Sequence, residues 1–127
     1  MKKLLFAVVA LFSLACHPQQ AGKELASPEA FEKQISAAEN PQVIDVRTPK
    51  EFKAGHLQGA KNIHLYDEDF GERIDQLDKS KPVFVYCKAG GRSAEAVEIL
   101  QNHGFKNVVE LDGGTDAWSE KQKPLKQ

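Results

Sequence analysis

Residues 81–86, KPVFVY, run apolar from Val83 onward with almost no polar alternation. A strand with one face in water would alternate, so this one is expected to be covered on both faces, as in a parallel sheet between helices. QVIDV at 42–46 and NVVEL at 107–111 repeat the pattern. The segments around them carry helical signals. Ser27 is a good N-cap with Pro28 at the first helical position, and Ala30, Phe31, Gln34, Ile35 and Ala38 fit a helix that ends at Asn40-Pro41. In residues 92–103, Ala96, Val97, Ile99, Leu100 and His103 fall on one face, with Glu95, Glu98, Gln101 and Asn102 on the other. Gly104 is the natural stop of that helix, and GGTDAWSEK at 113–121 reads as a closing turn and short helix. Strands alternating with helices predict an α/β fold with a parallel sheet.

The 127 residues, 41% of them hydrophobic, suit one domain once the first segment is set aside. Lys2 and Lys3 precede Leu4–Ala15, an almost wholly apolar run too short to span a bilayer, which reads as a secretory signal over 1–15. SLAC, Ser13 to Cys16, fits either a small-x-small cleavage site or a loose bacterial lipobox; both make Cys16 the first mature residue. Lipidation of Cys16 is the favoured reading, and the expected location is the periplasm or cell envelope. Residues 16–26 read as a flexible linker or membrane tether, 27–121 as the folded domain, and 122–127 as a C-terminal tail. The mature chain would carry 15 basic and 18 acidic residues, a net −3, which argues against a nucleic-acid partner.

Cys87 stands where the buried strand ends and a helix begins, in CKAGGRS, residues 87–93. The helix that starts near Arg92 would aim unpaired N–H groups and the positive end of its dipole at the sulfur, which stabilises a thiolate. Lys88 and Arg92 add positive potential, while Gly90 and Gly91 let the loop curl into a nest of inward amides. The plainer reading is a small apolar residue closing a strand. A core cysteine needs no glycine pair, flanking cations or immediate helix start, whereas an activated nucleophile uses all of them.

The loop resembles the active-site loop of single-domain rhodaneses, the thiosulfate sulfurtransferase superfamily, with cysteine first and arginine sixth. VIDVRTPKEFKAGHLQGAKNIHL at 43–65 is similar to the family's Asp-Val-Arg, Glu-Phe, Gly-His, Gly-Ala and Asn-Ile pattern. NVVELDGGTDAW at 107–118 is similar to its closing Gly-Gly and Ala-Trp block. The resemblance implies a five-stranded parallel sheet flanked by helices on both faces. It also implies a reaction without cofactor or metal: Cys87 takes a sulfane sulfur from a small anionic donor such as thiosulfate and passes it, as a persulfide, to cyanide or a thiol. The loop from Lys88 through Ala89, Gly90, Gly91 and Arg92 to Ser93 would hold the persulfide anion without a proton shuttle. Arg92 would steer the donor, with Lys88 sharing that role. Asp45 and Arg47 would lie near the pocket, although a structural salt-bridge network is the favoured reading, with Glu51 pairing Arg47 and His56 fixing a turn. His17, His64 and His103 show no metal-site spacing, and His103 reads as a partner for its helix dipole. A monomer is expected.

Two departures stand out. Lys88 replaces a common arginine and loses bidentate geometry toward an oxyanion. After Trp118 the family's usual glycine is absent, Gln122 standing two residues before Pro124, which bears on the last helix stop. Tyrosine-type phosphatases and arsenate reductases use a similar loop, but five residues separate their cysteine and arginine. Here there are four, Lys88 to Gly91, so the shorter ring suits a sulfur better than a phosphate. The remaining alternative is a persulfide carrier or sulfur-relay binding module with little free turnover.

Overall fold

The apolar runs become neighbours in one sheet. The computed structural model describes residues 22–127; the expected signal segment, Cys16 and most of the expected tether lie outside the described residues. The strands are Lys23–Ala26 (β1), Gln42–Asp45 (β2), Lys61–Asn62 (β3), Val83–Tyr86 (β4) and Val108–Leu111 (β5). The helices are Pro28–Ala37 (α1), Pro49–Ala54 (α2), Phe70–Ile74 (α3), Gly91–Asn102 (α4) and Gly114–Glu120 (α5). Every strand pair is parallel, in the order β1-β5-β4-β2-β3.

β4 explains its own sequence. Val83, Val85 and Cys87 pack with Phe70 and Ile74 of α3 and with Ala96, Val97 and Leu100 of α4. Phe84 and Tyr86 face the other way, against Phe31 of α1 and Trp118 of α5. Both faces of the strand are therefore core, and polar alternation has no place in it. The same register carries Cys87 onto the α4 side, beneath the start of that helix. After β2 the chain leads toward Leu57 in the α1 and α5 layer, whereas after β4 it enters α4 on the opposite face. Adjacent strands whose connections diverge leave a crevice at their C-terminal ends, the usual ligand position in open α/β sheets.

The helix ends follow local chemistry. Ser27 Oγ accepts from Ala30 N–H at 3.2 Å, as its N-cap role requires. Beyond α4, Gly104 is left-handed at φ +91°, with its N–H on Gln101 O and that of Phe105 on Leu100 O, a Schellman stop.

Two boundaries move. Lys23–Ala26, assigned by composition to the linker, form edge strand β1 against β5; only Ala26 is buried, so the segment shows no apolar run. Residues 122–127 are docked rather than a free tail. Trp118 Nε1 donates to Pro124 O at 3.1 Å, Leu125 joins the core layer, and His56 and Lys126 exchange backbone hydrogen bonds of 2.8 and 2.7 Å.

Candidate active site

Cys87 is a free thiol, 1% exposed, at the C-terminal end of β4. Gly90, at φ +121°, turns the chain into α4, and its N–H donates to Cys87 Sγ at 3.0 Å. A side chain there would force a strained backbone, although open space faces the position. Ser93, fully buried in the first turn of α4, places Oγ 3.3 Å from Sγ. The same Oγ lies 2.6 Å from Glu110 Oε2 on β5 and 3.1 Å from Gly90 O.

The loop is held from α5. Thr115 N–H donates to Cys87 O at 2.9 Å and Asp116 N–H to Lys88 O at 3.0 Å. This approach depends on Gly114, left-handed at φ +59°, where a Cβ would collide with the backbone of Cys87 and Lys88. The closing Gly-Gly thus fixes the cysteine loop as well as turning the chain.

Charge arrives from two sides. Arg92 forks onto Glu51, Nη1 to Oε1 at 2.7 Å and Nη2 to Oε2 at 3.0 Å. Glu51 is itself placed by a capping box: Thr48 Oγ1 accepts Glu51 N–H at 3.2 Å while the carboxylate turns back to Thr48. The hydrogen bonds from Arg92, joined by those from Thr48, hold the Glu51 carboxyl down to about 2 against the opposing effect of burial. The same bonds to Glu51 hold the Arg92 guanidinium above its usual range, with the Cys87 sulfur adding to the effect. Lys88 is exposed, its Nζ 2.9 and 3.0 Å from the Asp116 carboxylate, and Ala89 and Gly91 lie at the surface beside it.

Several expected partners change. Glu51 pairs with Arg92 and not with Arg47, because its place in the first turn of α2 turns it toward the loop after β4. Arg47 and Asp45 are buried, 5% and 0% exposed, and are engaged with each other. Arg47 Nη2 lies 2.6 Å from both Asp45 Oδ2 and Gly55 O, and Asp45 Oδ1 also accepts Arg47 N–H at 2.9 Å. Burial alone would lower Arg47, but its bonds to Asp45 and the charge of that carboxylate outweigh it. Burial, then the Asp45 charge, pushes the neighbouring Tyr86 phenol far above its ordinary range, while its oxygen accepts Leu57 N–H. These groups tie β2, β4 and the end of α2 together behind the site. His56 does fix a turn, with Nδ1 2.8 Å from Phe52 O and its ring stacked on Phe52. His103 caps α4 with its backbone, but its ring pairs with Asp75 at 2.9 Å instead of the helix carbonyls.

Glu110 and Asp116 are the site neighbours that sequence reasoning missed. The available signal for Glu110 was a single acidic residue inside an otherwise apolar strand. Nothing local marks Asp116, which meets Lys88 only through the docking of α5.

The assembled groups suit one kind of chemistry. A sulfur at a helix N-terminus, accepting a backbone N–H and near a guanidinium, is equipped to attack an electrophilic atom and to carry a negatively charged adduct.

The comparisons agree with the fold. The family described as Rhodanese-like domain matches residues 27–121. The chain is 33% identical to the uncharacterised protein YqhL of Bacillus subtilis over 124 residues, 97% of this chain and 94% of that one. It is 37% identical over 87 residues to the thiosulfate sulfurtransferase GlpE of Shewanella oneidensis, covering 68% of this chain and 84% of the relative. Among solved structures, a rhodanese-related protein of Thermoplasma volcanium superposes with a TM-score of 0.71 at 30% identity, covering 81% of this chain and 97% of the other. With its five-stranded parallel sheet and its cysteine loop at the end of β4, the chain belongs to the rhodanese-like domain family.

Proposed function

We propose that the protein is a sulfurtransferase that moves sulfane sulfur from thiosulfate, or a similar small anionic donor, to cyanide or a thiol. The observation that carries the reading is Cys87 Sγ at the start of α4, accepting Gly90 N–H at 3.0 Å. The Cys87 thiolate attacks the outer sulfur of thiosulfate; a sulfur–sulfur bond forms at Sγ, the one to sulfite breaks, and sulfite leaves with the electron pair. The terminal sulfur of the persulfide then bears the charge, next to the N-terminus of α4. The acceptor attacks that sulfur, and the electrons of the breaking bond return to Cys87. Arg92 guides the donor by exchanging its bonds to Glu51 for the sulfonate oxygens, a match its planar fork makes well. Lys88, tied to Asp116 at the surface, adds positive potential at the entrance.

A thiosulfate–cyanide assay tests this reading: wild type is expected to form thiocyanate and Cys87→Ala none. Phosphatase turnover without sulfur transfer would contradict it. One observation favours the carrier alternative, namely that Cys87 is only 1% exposed while Arg92 is occupied by Glu51, as suits discharge to a docked partner. Wild type that loads sulfur but is barely discharged by cyanide would favour the carrier.

The apolar run ending at Cys16 supports export to the envelope and a lipid tether on that residue. Cys16→Ala is expected to move the protein from the membrane to the soluble fraction. Unchanged membrane association would remove the anchor from the account.

A further inference from the structure

A carboxyl group stands behind the reactive sulfur, and the sulfur-transfer steps above make no use of it. Cys87 Sγ, Ser93 Oγ and Glu110 Oε2 form a continuous hydrogen-bonded chain with links of 3.3 and 2.6 Å. The three groups come from β4, α4 and β5, and Ser93 between them is fully buried. A hydroxyl has one hydrogen to give, so its direction depends on what lies at each end. An ionised Glu110 can only accept; it draws the Ser93 hydrogen to itself and leaves Oγ free to accept the Cys87 S–H. A protonated Glu110 donates to Oγ and releases the Ser93 hydrogen. That hydrogen then chooses between Gly90 O, 3.1 Å away, and the sulfur, and an anionic sulfur is the stronger acceptor.

We propose that Cys87 and Glu110 share one proton through the Ser93 hydroxyl, so that Glu110 holds the proton while Cys87 is anionic. The inference rests on the sulfurtransferase reading for its use, but not for its existence. One proton passes from Sγ to Ser93 Oγ as the hydrogen of Ser93 passes to Glu110 Oε2. Thiol plus carboxylate becomes thiolate plus carboxylic acid, with no change in total charge. Transfer of a sulfane sulfur to that thiolate leaves the proton on Glu110, opposite the persulfide charge, and discharge of the sulfur lets it return.

The surroundings of Glu110 suit this role. Burial pushes its carboxyl above the usual range; Ser93 opposes that, Asp112 reinforces it and Lys23 opposes it. Beyond these, Glu24 of β1 and Glu98 of α4 line the same cleft and add negative charge. Glu110 is thus a positioning residue, acting on the sulfur through Ser93 and touching no substrate.

The test is the pH dependence of Cys87 alkylation by iodoacetamide in the full chain, compared for wild type, Glu110→Gln, Ser93→Ala and the double variant. Wild type is expected to show two coupled inflections. Glu110→Gln, which donates to Ser93 at every pH, should show one inflection at lower pH, with alkylation near neutrality faster by up to about tenfold for each unit the midpoint moves. In the Ser93→Ala background the same substitution should accelerate alkylation less, leaving only the direct effect of the removed charge. A Glu110→Gln profile that superimposes on wild type, or an equal acceleration without Ser93, would overturn the proposal. A second readout guards against altered folding: the Glu110 carboxyl carbon resonance should carry an inflection that tracks the alkylation profile and disappears in Cys87→Ala. An unaltered inflection in Cys87→Ala would also overturn the proposal. No sulfur donor enters either measurement, so a coupled profile in a protein that never loads sulfur would sink the sulfurtransferase reading alone.

Discussion

Arg92 commits two of its five N–H groups to the Glu51 carboxylate. The pair is a fork on a carboxylate, with side chains 24% and 29% exposed, so on the proposed reading a sulfonate competes with Glu51 for that edge of the guanidinium. The pairing also leaves a mark on stability. The Glu51 carboxyl is held at about 2, below its ordinary 4.5. A depressed carboxyl contributes stability that is fully present above the unfolded value and is lost as pH falls through the folded one. Urea midpoints of wild type should therefore fall between about pH 5 and about pH 2 more steeply than those of Glu51→Gln, which cannot ionise. Parallel curves would mean that the pair does not persist in solution. At this scale the sequence was informative about Cys87, Arg92 and the glycines, because strand, loop and helix start are all local signals. It was misleading for Glu51. Arg47 is four residues away, but the capping box turns the carboxylate toward Arg92, 41 residues distant in the chain.

Among the elements, α5 shows how local chemistry can be met with the wrong residue. Gln122 N–H bonds Ser119 O and Lys123 N–H bonds Trp118 O, the two bonds of a Schellman stop, with Gln122 left-handed at φ +58°. Here a side chain in the left-handed region bears roughly 1 to 2 kcal/mol of strain. Gln122→Gly should relieve it, less what the freer unfolded chain takes back, for a net gain of about 0.5 to 1 kcal/mol. A thermal midpoint unchanged or lowered would contradict that assignment. β2, β4, β5, α1 and α4 were legible because each buries a face. β1, β3, α2 and α3 were not: β1 buries only Ala26, β3 has two residues, and the two helices have six and five. Such pieces bury too little to impose a period, although Thr48, Pro49 and Glu51 do spell an N-terminal signal for α2.

For the molecule as a whole, the site depends on where the sheet changes direction. β2 and β4 are neighbours whose connections leave on opposite faces, so residues after β2 (Thr48, Glu51) meet residues after β4 (Cys87, Arg92) beyond the C-terminal ends of the two strands. Strand order is a nonlocal property, and no stretch of this sequence encodes it alone; the resemblance implied five parallel strands, and the order came from the structure. The docking of α5 and of residues 122–127 was likewise hidden, since its contacts join ends of the chain that share no pattern. What this assembly is for turns on Cys87. The most direct measurement is intact mass after incubation with thiosulfate and removal of excess donor. Wild type is expected to gain one sulfur atom that a thiol reductant removes, and Cys87→Ala to gain none. Absence of the added sulfur on wild type, or its equal presence on Cys87→Ala, would contradict the account.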